Sequence, residues 1–123
     1  MSKKETDKIL DLIRKNDIVF RIFRHEPVYT SIQASEVRGT ELSTGVKALI
    51  FKEKSGKFLM ALVSADKRID ENKLENVSNK ENVKLASPDE VFGLTGCKVG
   101  SVPPFGNLWN LETLWTNPCS KIN

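Results

Sequence analysis

Lys47 lies in the run Val46-Lys47-Ala48-Leu49-Ile50-Phe51, and far downstream comes Gly100-Ser101-Val102-Pro103-Pro104-Phe105-Gly106. An ammonium among apolar residues is costly to bury unpaired, so its presence needs a reason. In a period-2 pattern Lys47 shares a face with Leu49 and Phe51. Two readings stay open. One is a cation at a pocket wall that meets a phosphate or a carbonyl. The other is a lysine at a frayed strand start, snorkelling to water. In the downstream segment, two prolines between two glycines exclude a helix or a central strand. Prolines fix φ, and glycines reach conformations that other residues avoid. The expected product is a stiff loop of exposed main-chain groups, suited to a polar, partly anionic ligand.

Other groups offer less. His25 precedes Glu26-Pro27, where it could act as a general base or as a structural hydrogen-bonding group at a strand end. Thr30 and Ser31 could present hydroxyls to a ligand, but capping a helix explains one of them. Ser101 lacks the surroundings of a serine nucleophile. Cys97, between Gly96 and Lys98, has no histidine or acid nearby to activate it and reads as a small semi-buried residue. Cys97 and Cys119 form no CxxC unit, and His25 is the single histidine, so no structural metal site is expected. Asp66, Asp70 and Glu71 read as a solvated acidic loop. No nucleotide-type Gly-rich loop is present, and no cofactor is expected.

The elements that must position these groups follow from local pattern. A helix is expected over 2–16, with Ser2 and Glu5 as a capping box and Ile9, Leu10, Leu12 and Ile13 as its apolar stripe. A strand follows over 18–24, ended by Pro27. A second helix starts at Thr30 or Ser31 and stops at Gly39. Two apolar runs, 46–52 and 58–63, flank a polar Gly-containing turn and read as a hairpin buried on both faces. A short helix over 72–77, a short strand over 83–86 and a helix opening at Ser87-Pro88-Asp89-Glu90 come next. A strand over 99–102 leads into the proline loop. Strands and helices interleaved in this way predict an α/β, mixed α+β fold: one mixed, mostly antiparallel, curved sheet flanked by helices.

The chain of 123 residues is long enough for one domain with one core. Its 39% apolar and 28% charged content is ordinary for a globular protein. The net charge of +3 permits contact with nucleic acid without demanding it. No apolar run approaches a membrane span, and the N-terminus lacks the apolar region of a signal peptide. A cytoplasmic protein with no membrane partner is the expectation.

Taken together, three segments resemble the YbaK/prolyl-tRNA synthetase-associated domain family. They are Phe23-Arg24-His25-Glu26-Pro27-Val28-Tyr29-Thr30, the lysine-bearing run Gly45-Val46-Lys47-Ala48-Leu49-Ile50-Phe51, and the GxxxP loop Gly100-Ser101-Val102-Pro103-Pro104 with Phe105 and Gly106. The helix start Ser87-Pro88-Asp89-Glu90-Val91 also fits. The resemblance covers about residues 1–111 of a single domain spanning 1–123, with 112–123 divergent and the family's last strands absent. Missing strands would expose a sheet edge, favour association into a homodimer and remove part of a pocket wall.

The resemblance implies an aminoacyl-tRNA deacylase that clears mischarged tRNA, with tRNA for proline carrying a small wrong amino acid as substrate. Its implied partners are the aminoacyl-tRNA 3′ end and prolyl-tRNA synthetase. It implies catalytic roles for Lys47 and Gly100. It implies substrate contacts from His25, Tyr29, Thr30, Ser101, Val102, Pro103, Pro104, Phe105 and Gly106. In this family the attack is assigned to the 2′-hydroxyl of the terminal adenosine or to an ordered water, which leaves the protein positioning and fixed dipoles to supply. A non-catalytic module that binds aminoacyl-tRNA or a synthetase is the other reading.

Overall fold

The computed structural model describes residues 3–17, 24, 26, 28 and 30–115. The expected strand over 18–24, the cap at Ser2, and His25, Tyr29 and Cys119 therefore lie outside the described residues, save Arg24.

Helix α1 spans Lys3–Lys15 and carries Arg14 and Lys15 in its last turn, where cations complement the helix dipole. Asn16 and Asp17 end it, with Asp17 at φ +53°. Helix α2, Ser31–Arg38, opens on a reciprocal capping box. The Gln33 N–H donates to Thr30 Oγ1 at 3.0 Å, and the Thr30 N–H donates to Gln33 Oε1 at 3.2 Å. Gly39, at φ +66°, stops it in the left-handed region. A 3₁₀ turn, Leu42–Thr44, then delivers the chain to strand β1, Val46–Lys52.

Strand β1 pairs antiparallel with β2, Phe58–Ser64, in the register Lys47↔Val63 and Phe51↔Leu59. The turn between them closes with Glu53 N–H to the Lys57 carbonyl at 2.9 Å, and Gly56 supplies φ +93°. Helix α3, Glu71–Ser78, is capped by Asp70, whose Oδ1 accepts from Asn72 N at 2.9 Å and Lys73 N at 3.3 Å. Strand β3, Lys84–Leu85, pairs antiparallel with the end of β1. Helix α4, Pro88–Thr95, opens on the Ser87–Glu90 capping box with Pro88 in its first turn. Strand β4, Glu112–Trp115, pairs parallel with β2. The sheet order is β3-β1-β2-β4, a mixed sheet in which two of the three pairings are antiparallel.

Strand alternation sorts the core onto the two faces of this sheet. Phe51, Leu59 and Ala61 pack with Leu74 of α3 and with Val83. Ile50 and Met60 pack on the other face with Ala86 and Val91, the latter from α4. Leu59, Met60, Ala61 and Val63 are fully buried, so β2 is covered on both faces as its unbroken apolar run predicts. The N-terminal half of β1 is only partly covered, with Val46 exposed.

Two expectations are corrected. Residues 99–102 form a turn and irregular chain, not a strand. The Ser101 N–H donates to the Lys98 carbonyl at 2.9 Å, and Gly100 stands at φ +88°. That is the positive φ a type II turn requires at its third position, and it cannot continue a strand. Conversely, β4 forms inside 112–123, where no strand of this chain was expected. Only Leu114 of β4 packs against the core, so the segment lacks an apolar run. Its conformation comes from pairing with β2.

Candidate active site

Main-chain groups alternate sides along a strand. The Ala86 N–H donates to the Ile50 carbonyl at 2.9 Å, which places the Ile50 main chain on the β3 side of β1. Val46 and Ala48 turn their N–H and C=O groups to that same side. Strand β3 reaches only Phe51 and Lys52. Along Val46–Ala48 the edge of β1 therefore has no strand partner among the described residues.

A cavity of about 280 Å³ lies against this edge. Val46, Lys47, Ala48, Leu49 and Ile50 form one wall. Val28, Thr30, Ser31 and Arg38 bring the start and end of α2 to it. Leu85, Ala86 and Val91 close a third side, and Val99, Gly100 and Val102 a fourth. Four segments distant in sequence thus converge on one hollow whose surface is about evenly polar and apolar, with polar groups set among apolar side chains.

The ammonium of Lys47 is not loose in this hollow. Its Nζ donates to the Lys67 carbonyl at 2.6 Å, in the loop after β2. Lys47 lines the cavity, as a pocket-wall residue would, and its ammonium meets a carbonyl of the chain itself. The ammonium is anchored, and its remaining N–H donors have no partner among the described residues. Thr30 lines the cavity while its Oγ1 serves the α2 cap.

The proline loop divides. Gly100 and Val102 line the cavity; Ser101, Pro103, Pro104, Phe105 and Gly106 do not. Ser101 Oγ donates to the Lys98 carbonyl at 2.7 Å. Pro103 is buried, and its carbonyl accepts from Phe105 N at 2.8 Å. Gly106 opens the 3₁₀ helix Gly106–Trp109, and a Cβ there would collide with Thr113 Oγ1 of β4. These residues shape the loop and seat it on the sheet. Cys97 is buried, with its N–H donating to Thr95 Oγ1 at 3.0 Å, as a packing residue would be. Asp70 and Glu71 are likewise accounted for, by the α3 cap and by a 3.6 Å pair with Lys84.

Sequence reasoning did not single out Arg38 or the main chain of β1. Arg38 at a helix end before Gly39 reads simply as a dipole complement, and an open strand edge leaves no residue-level signal.

The family model for the aminoacyl-tRNA editing domain matches residues 25–117. The chain belongs to the aminoacyl-tRNA editing domain family. The match takes in α2, the whole sheet, the cavity and β4, and α1 precedes it. Within this family the chain is 37% identical over 101 residues to a multifunctional Ser/Thr-tRNA deacylase of Escherichia coli K12, covering 80% of this chain and 60% of that protein. It is 34% identical over 94 residues to a proline–tRNA ligase of Aquifex aeolicus, covering 76% of this chain and 16% of the ligase. A crystal structure of a hypothetical protein superposes with a TM-score of 0.75 at 28% identity, over 89% of this chain and 71% of that one. A candidate trans-editing enzyme for prolyl tRNA synthetase superposes with a TM-score of 0.64 at 32% identity, over 72% and 55%. These likenesses show the editing-domain fold, with its mixed sheet and flanking helices. No described helix is long and apolar enough to cross a membrane.

Proposed function

We propose that this chain is an aminoacyl-tRNA deacylase that hydrolyses the ester of mischarged tRNA. Its substrate is tRNA for proline carrying a small non-cognate amino acid. The observation that carries this reading is the cavity against the Val46–Ile50 run of β1, in a chain of the aminoacyl-tRNA editing domain family. The cytoplasm as its place and prolyl-tRNA synthetase as its partner belong to the same reading.

The chemistry asked of the cavity is modest. An ester carbonyl needs donors where negative charge develops, and donors fixed in advance are worth more than donors that must reorganise. Lys47, held by the Lys67 carbonyl, is one such donor. The main-chain groups of Val46 and Ala48, which have no strand partner among the described residues, and the turn at Gly100 supply others. Val46, Ala48, Val91 and Val102 make the remaining wall apolar, which suits a small uncharged side chain. The attack falls to the 2′-hydroxyl of the terminal adenosine or to a water. Positioning and fixed dipoles then supply the acceleration.

The test is release of labelled amino acid from tRNA charged with serine, threonine or alanine, with tRNA for proline among the carriers. The serine and threonine substrates follow the name of the Escherichia coli relative. Release above the spontaneous rate is expected. Spontaneous rates throughout, with tRNA binding retained, would leave a non-catalytic module that recognises aminoacyl-tRNA.

A further inference from the structure

A second, smaller cavity of about 60 Å³ adjoins the first, and Ser31, Arg38 and Val46 line both. Its other walls include the hydroxyl-bearing residues Ser35 and Thr40. Among the described residues the guanidinium of Arg38 has neither an ion-pair nor a hydrogen-bond partner. Several other cations of the sheet and its helices are held. Lys52 is paired with Glu90 at 2.8 Å, Lys80 with Glu112 at 3.3 Å, and Lys47 is held by a carbonyl. Glu41, also in the wall of the small cavity, already has a partner.

We infer that Arg38 holds the phosphodiester on the 5′ side of the terminal nucleoside. This rests on the deacylase reading, which puts an acylated ribose in the larger cavity. The 5′-phosphate hangs from the same ribose that carries the ester. A group that binds it must therefore stand in the wall of the ester cavity or where that cavity opens onward. Arg38 stands at that junction. Its planar guanidinium presents a fork of donors that matches two phosphate oxygens at once, which an ammonium does not. Lys47, anchored by the Lys67 carbonyl, serves the ester, so the two cations divide the substrate between them.

Adenosine and adenosine 5′-monophosphate, titrated into the protein and followed by amide shifts, separate this inference from the deacylase reading because neither probe is hydrolysed. Wild type should bind the monophosphate about tenfold more tightly than adenosine, the worth of one charged hydrogen-bonded contact. Arg38→Gln should abolish that preference without changing the circular dichroism spectrum. Arg38→Lys should restore it only in part. Equal or undetectable binding of the two probes by wild type overturns the inference, as does a preference that survives Arg38→Gln or disappears instead in Lys47→Ala. A preference that depends on Arg38 supports it even if no mischarged tRNA is hydrolysed, in which case the deacylase reading alone fails.

Discussion

Lys47 Nζ and the Lys67 carbonyl oxygen stand 2.6 Å apart. This bond ties the start of β1 to the loop after β2, beside the cavity that Lys47 helps to line. Because it is a single bond at a partly exposed site, its loss should cost no more than about 1.5 kcal/mol of stability. Lys47→Ala should therefore melt close to wild type. Deacylation should fall by about a hundredfold, the usual effect of removing one fixed donor from a developing oxyanion. Wild-type turnover in a folded Lys47→Ala protein would remove Lys47 from the site.

Two glycines of the proline loop should respond differently to a methyl group. At Gly100 a Cβ meets nothing within 4 Å, so the cost is conformational, set by φ +88°. Gly100→Ala should lose about 1–2 kcal/mol and a larger share of activity. At Gly106 the Cβ strikes Thr113. Gly106→Ala should destabilise by about 1–3 kcal/mol, and adding Thr113→Ala should recover part of that. Chemical denaturation of each single glycine variant, with and without Thr113→Ala, checks the stability differences. Recovery of Gly100→Ala by the same Thr113 change would contradict them.

Acid should loosen the contact between α4 and the sheet. The Lys52 ammonium, with the Ser87 backbone N–H, lowers the Glu90 carboxyl from 4.5 to about 2. A carboxyl depressed in the folded state stabilises above its unfolded value and loses that contribution as pH falls through the folded one. The melting temperature of wild type should therefore drop between about pH 4.5 and about pH 2. Glu90→Gln should show a shallower drop over that interval. Parallel curves for the two proteins would mean that Glu90 is not the titrating group.

tRNA binding should depend only weakly on salt. A site that reads the acylated end neutralises few phosphates, and few counterions are released. An acylated acceptor-stem RNA should compete nearly as well as whole tRNA. Much weaker competition would show that the protein reads the tRNA body.

Much of this fold is written in short-range pattern. Thr30 with Gln33, Ser87 with Glu90, Asp70 with the N–H groups after it, and Gly56 in the hairpin turn all interact with residues at most four positions away. Their pairings need no knowledge of the rest of the chain. The family resemblance was legible for the same reason, because its motifs are contiguous runs. Within the site, Lys47, Thr30, Gly100 and Val102 were legible and do line the cavity. Tertiary structure decided the rest. The strand Glu112–Trp115 exists by pairing with β2, and too little of it is apolar to announce it. The roles of Ser101 and Gly106 turned on contacts with Lys98 and Thr113 that spacing does not reveal. Among the described residues, the unpartnered edge of β1 depends on where β3 stops. Whether a main-chain group is free is set by what lies beside the strand, not by the residue that carries it.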